Sequence, residues 1–84
     1  MKRPDITREK LIKTVVEAIF SVAKITVPPE KYGESLFKLG LDSLKAIQVI
    51  NNIEDSLDVM IDDSELKNLV SINAIANFFE SLPE

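Results

Sequence analysis

From Thr7 to about Ile25 the apolar side chains recur at Leu11, Ile12, Val15, Val16, Ile19, Phe20, Val22 and Ala23, while Arg8, Glu9, Lys13, Thr14 and Glu17 fall elsewhere. This i, i+3, i+4, i+7 spacing predicts a first amphipathic helix. Asp5 or Thr7 can cap its start. Thr26-Val27-Pro28-Pro29 is expected to end it, because proline has no N–H to donate and biases its predecessor away from helix. A second helix is predicted over about Ser43 to Leu57, burying Val49, Ile50, Ile53 and Leu57, with Asp42 and Ser43 both suited to its cap. Asp58 to Ile61 is read as an extended link, and Asp62-Asp63-Ser64-Glu65-Leu66 as the opening of a short third helix. The last helix is expected to start from a cap at Ser71, to carry Ile72, Ile75, Ala76, Phe78 and Phe79, and to be closed by Pro83.

Between the first two helices runs a long connection, Pro28 to Leu41, punctuated by two prolines, Gly33 and Gly40. A structureless loop of that length inside a compact domain is usually functional or pinned. Leu36, Phe37 and Leu39 are the expected pins, dropped into the core. The fold class that follows is all-α: a small antiparallel four-helix bundle, three longer helices plus one short, with a long loop between helices 1 and 2. Residues 1–84 are read as a single domain and 1–6 as a flexible N-terminus. Leu39, Val49, Ile53, Ile61 and Phe78 are the expected core.

Composition narrows the chemistry more by what is missing than by what is there. With 84 residues only a small core can form. No cysteine means no disulfide, no thiolate nucleophile and no thiolate zinc site. No histidine removes the usual general base and the commonest metal ligand. The absence of tryptophan and a lone Tyr32 argue against aromatic platforms for nucleic acid. Ten basic against fourteen acidic residues leave a net charge of −4, which disfavours nucleic acid and anionic membrane and favours a basic protein partner. Apolar runs are too short for a membrane span. Met1-Lys2-Arg3-Pro4-Asp5 is followed by no apolar h-region, so a cytoplasmic location is expected.

The acidic pairs Glu54-Asp55 and Asp62-Asp63 read as solvated surface rather than acid/base machinery, since neighbours on a helix point to different faces. Asp58 to Asp63 lacks the alternating oxygen ligands, central glycine and terminal glutamate of a calcium loop. No metal site and no catalytic residue is predicted, and the chain does not read as an enzyme. The stretch that stands apart is Leu36-Phe37-Lys38-Leu39-Gly40-Leu41-Asp42-Ser43-Leu44. It delivers one hydroxyl to the first turn of a helix, where unsatisfied N–H groups and about half a positive charge favour a phosphate ester. For an arbitrary Asp-Ser pair, simple helix capping is the commoner role.

Gly40-Leu41-Asp42-Ser43-Leu44 resembles the Gly-x-Asp-Ser-Leu signature of acyl carrier proteins, and the order of helices, Pro-containing loop and Leu57-Asp58-Val59-Met60-Ile61 link is similar from about Thr7 to Leu82. The resemblance implies that Ser43 carries 4′-phosphopantetheine, attached covalently from coenzyme A by a separate, magnesium-requiring phosphopantetheinyl transferase. It implies that Asp42 helps that transferase to engage. It also implies that the second helix meets acyl-loading and acyl-processing enzymes, with Leu44, Lys45, Ile47, Gln48, Asn51, Glu54 and Asp55 as contact candidates. On this reading the chain is a monomeric carrier of acyl thioesters for fatty acid, polyketide or related biosynthesis. The alternatives are an aminoacyl or peptidyl carrier of a nonribosomal system, and a helical adaptor that carries nothing. Fatty-acid-synthesis members carry a dense acidic stripe on the second helix. Here Lys45 stands where an acid is common, and Gln48, Asn51 and Asn52 are neutral, leaving Glu54, Asp55 and Asp58 at the far end. Ser35-Leu36-Phe37-Lys38-Leu39-Gly40 and Ser43-Leu44-Lys45-Ala46-Ile47-Gln48 look more like polyketide and nonribosomal carriers, which points to a specialised, free-standing carrier.

Overall fold

The computed structural model describes residues 6–82. Helix α1 spans Arg8–Ala23, α2 Ser43–Leu57 and α3 Ile72–Glu80, with 3₁₀ segments at Pro29–Lys31 and Asp63–Asn68. Among the described residues the only departure from helix and loop is an isolated antiparallel bridge between Ser35 and Ser71. The predicted all-helical bundle of three longer helices and one short one is present, the short one being 3₁₀ rather than α. No helix among the described residues is long and apolar enough to cross a membrane.

Each α-helix starts where a side-chain oxygen takes an orphan N–H. Thr7 Oγ1 accepts from Lys10 N at 3.3 Å, Asp42 Oδ1 from Lys45 N at 2.8 Å and Ser71 Oγ from Ala74 N at 3.0 Å. Thr7 is thus the cap of α1; Asp5 lies outside the described residues, as do Pro83 and all of the expected flexible start except Ile6, which packs against the core. Helix α1 stops at Ala23, two residues before the predicted end and ahead of the prolines. Lys24 turns the chain with φ +60°, and its Nζ lies 5.6 Å from the centroid of the Phe20 ring, a cation–π contact beside the break.

Helix α1 is the middle of the bundle and packs on both α2 and α3. Its buried stripe is Leu11, Val15, Ala18 and Ile19, which meets Val49, Ile50 and Ile53 of α2 and Ile72, Ile75, Ala76 and Phe79 of α3 in one core. Val27, Leu36, Leu41, Ile61 and Leu69 complete it from the connections. Four expectations need correction. Phe37 is 59% exposed: once Leu36 and Leu41 are seated, the turn between them points it outward. Leu39 is only partly buried against the core. In α3 the i, i+3, i+4, i+7 positions are Ile72, Ile75, Ala76 and Phe79, so Phe79 is fully buried and Phe78 lies a third of a turn away, partly buried, with its ring edge-on to Phe79 at 5.3 Å. Leu57, expected in the buried set of α2, is likewise only partly buried.

The two ends of the described chain are joined. Arg8, at the start of α1, donates to Asn77 Oδ1 at 2.8 Å and pairs with the Glu80 carboxylate at the end of α3. Both side chains of the ion pair are exposed, so its stabilisation is small. The apolar core carries the stability. Ile53, fully buried on α2, is therefore expected to cost about 2–5 kcal/mol when truncated to alanine. Urea unfolding checks it: a change below about 0.5 kcal/mol, the size seen at exposed sites, would mean that this face does not face the core.

Candidate functional site

The loop into α2 is held to the approach of α3 by backbone bonds at two levels. Asn73 N–H donates to Tyr32 O at 3.0 Å, and Leu36 N–H donates to Val70 O at 2.8 Å, beside the Ser35–Ser71 bridge. Above that tie the chain folds into a compact turn. Leu36 O accepts the N–H groups of Leu39 and Leu41, both at 3.1 Å, and Phe37 O accepts from Gly40 at 3.1 Å. Ser35 Oγ accepts from Lys38 N at 3.2 Å.

Gly40 sits at φ +106°, a conformation that L side chains rarely adopt. A Cβ there would also stand 3.3 Å from Ile25 Cδ1, tight enough that the Ile25 side chain would have to give by a few tenths of an ångström. The turn drives Leu41 into the core. Its burial seats the turn one residue before the cap, and no pattern of period 3.6 or 2 marks it in advance; the only signal was its place between Gly40 and Asp42.

With Leu41 seated, Asp42 becomes the cap of α2 and Ser43 its first residue. Sequence alone left the cap open between them, and the structure assigns it to Asp42, whose carboxylate holds the Lys45 N–H. The Ser43 side chain is exposed, and among the described residues nothing bonds its hydroxyl. The N–H groups of Ser43 and Leu44 are also without a partner among the described residues, so the positive end of α2 lies open around that hydroxyl. The arrangement suits a phosphate ester on Ser43 in two ways: the oxygen is free, and the same helix turn holds the open N–H groups of Ser43 and Leu44.

The outward face of α2 begins beside this hydroxyl. Leu44 is 65% and Ile47 46% exposed, followed by exposed Gln48, Asn51 and Asp55. These five occupy i, i+3, i+4, i+7 and i+11 on one side, opposite Val49, Ile50 and Ile53. Lys45 lies at the flank of that face, partly buried. Glu54 is different: its Oε2 accepts the Ile61 N–H at 2.6 Å, tying the last turn of α2 to the link that follows. The structure therefore brings Leu44, Ile47, Gln48, Asn51 and Asp55 together and engages Glu54 elsewhere.

The division between Asp42 and Ser43 has a measurable consequence. Asp42→Ala is expected to lose about 0.5–2 kcal/mol with the cap, whereas Ser43→Ala, which breaks no bond, should change stability by less than about 0.5 kcal/mol. Chemical denaturation of both variants measures the two effects, and equal losses would return part of the capping role to Ser43.

A family model describing the phosphopantetheine attachment site matches residues 12–79. An acyl carrier protein of Campylobacter fetus subsp. fetus (strain 82-40) is 34% identical over 71 residues, covering 84% of this chain and 90% of that protein. An acyl carrier protein homolog of Ureaplasma parvum serovar 3 is 31% identical over 71 residues, covering 84% of this chain and 92% of its own. An acyl carrier protein of Exiguobacterium sp. (strain ATCC BAA-1283 / AT1b) is 28% identical over 83 residues, covering 90% and 98%.

Proposed function

Since the chain belongs to the acyl carrier protein family and its cofactor is a covalently attached 4′-phosphopantetheine, we propose that Ser43 is the residue that bears it. The observation that carries this reading is the free, exposed hydroxyl at the first position of α2, with the capping duty held by its neighbour. Other serines are committed or differently placed. Ser35 Oγ accepts from Lys38, Ser71 is buried and caps α3, and the Ser81 hydroxyl donates to Phe78 O. Ser21 and Ser56 lie late in their helices, and Ser64 lies in the 3₁₀ segment.

When bound, the group supplies the terminal thiol for acyl cargo, which a chain without cysteine cannot supply itself. The protein's own part is to hold the attachment oxygen outside the core, surround its ester with the open N–H groups of Ser43 and Leu44, and offer a recognisable face beside it. Asp42 serves a phosphopantetheinyl transferase by holding the turn in which Ser43 is presented. The outward face of α2, with Leu44, Lys45, Ile47, Gln48, Asn51 and Asp55, is the docking surface for acyl-loading and acyl-processing enzymes. Its apolar and amide character supports a carrier for polyketide-type or related specialised biosynthesis over one for a broadly basic fatty-acid-synthesis partner, because rim charge governs encounter and partner exclusion more than affinity.

Intact mass after treatment of the apo protein with a transferase, coenzyme A and magnesium tests the assignment. Wild type is expected to gain one phosphopantetheine and Ser43→Ala none, while both remain folded. Modification of the alanine variant, or an unmodified wild type, would remove Ser43 from the role.

A further inference from the structure

The charges along α2 and its following link are sorted by sign, and this bears on the partner that the docking face fits. Lys45 lies in the first turn and exposed Lys38 in the turn before it; the one acid between them, Asp42, has its carboxylate turned to the helix end, where it accepts the Lys45 N–H. From Ala46 to Leu66 there is no basic residue, the next being exposed Lys67 at the end of the 3₁₀ segment, but there are Glu54, Asp55, Asp58, Asp62, Asp63 and Glu65. Asp55, Asp58, Asp62 and Asp63 are all exposed, and among the described residues none of them, nor Lys38 or Lys45, has an ion partner. Between the two ends the outward face is uncharged: Leu44, Ile47, Gln48 and Asn51. At the helical rise, Lys45 and Asp55 stand about 15 Å apart along the axis. That exceeds the screening length of roughly 8 Å at physiological ionic strength, so each end is read locally and the net charge describes neither.

We propose that the carrier's enzyme partner presents a docking surface of mixed sign in a fixed order. An acidic group beside the mouth that admits the arm meets Lys45. An apolar seat takes Leu44 and Ile47. A basic patch about 15–20 Å further along meets Asp55 and Asp58. Met60, 86% exposed within the acidic segment, adds an apolar knob to that far contact. The inference rests on Ser43 as the attachment point, which sets the mouth at the Lys45 end. The sorting also fixes direction. A partner turned end for end would place like charges against both termini of the face, and a uniformly basic groove would repel Lys45 beside the reacting end.

The test is a charge swap on a defined probe: a fatty-acid-synthesis acyltransferase with a uniformly basic docking groove, and the same enzyme with its mouth-proximal basic residue changed to glutamate. Transfer to holo wild type, holo Lys45→Glu and holo Asp55→Asn/Asp58→Asn is measured across a salt series. On the basic enzyme Lys45→Glu is expected to lower KM about two- to fivefold, the size of a rim ion pair. On the swapped enzyme the order should reverse in favour of wild type, and the double asparagine variant should raise KM on both forms. The differences should shrink with salt. If Lys45→Glu behaves alike on the two enzymes, the mixed-sign partner is wrong. Intact mass of each holo sample separates the two levels: a wild type that acquires no arm sinks the attachment reading and this inference with it, whereas a fully loaded wild type without reversal sinks the inference alone.

Discussion

The position of Ser43, the proposed attachment residue, depends on how Leu36 is held. Its side chain is in the core, its N–H reaches across to Val70 O, and its carbonyl takes the N–H groups of both Leu39 and Leu41. One residue thereby ties the loop to the approach of α3 and closes the turn that leads into α2. A single backbone bond adds only about 0.5–1.5 kcal/mol net. The three act together with a buried leucine, so the turn is fixed from the core side and the cross-chain side at once. Without that seat, a loop spanning from Lys24 to Asp42 would present its last residues in many orientations.

Within the signature Gly40-Leu41-Asp42-Ser43-Leu44 each residue has a separate physical task. Gly40 adopts a backbone angle that L side chains rarely take, packed closely on Ile25. Leu41 is the inward weight, Asp42 the cap, Ser43 the presented hydroxyl and Leu44 the outward apolar contact. The serine is left chemically idle because its neighbours already perform every structural duty nearby. That is why a helix start, ordinarily a place where serine is used up as a cap, can here keep its hydroxyl for another purpose.

Much of this was legible in advance, for reasons that can be named. Helix α2 begins at Ser43 and ends at Leu57 as the apolar spacing implies, although the choice of Asp42 over Ser43 as its cap came only from the structure, and the Ser71 cap of α3 is where the sequence places it. The signature itself, together with the order of helices, pointed to the family that the comparisons establish. What stayed hidden belongs to long-range packing. The outward turn of Phe37 depends on Leu36 and Leu41 taking the interior places, and nothing local ranks the four apolar residues among the six from Leu36 to Leu41. The early stop of α1 at Lys24 relies on a left-handed lysine, a conformation that propensity assigns to glycine or asparagine. Choosing Phe79 over Phe78 needed the phase of α3 against α1, and two adjacent phenylalanines leave that phase ambiguous. The tie from Leu36 to Val70 joins positions 34 residues apart, so no local spacing marks it.

Glu54 carries one last consequence. By composition it is another acid at the end of α2, yet its carboxylate oxygen serves the Ile61 N–H. What position 54 must offer is reach and an acceptor, rather than charge. Aspartate would fall a methylene short, lysine would set donor against donor, and glutamine would keep the geometry while discarding the sign. Drift at this site is therefore governed by the backbone of the following link, and a change of enzyme partner would leave its requirement untouched.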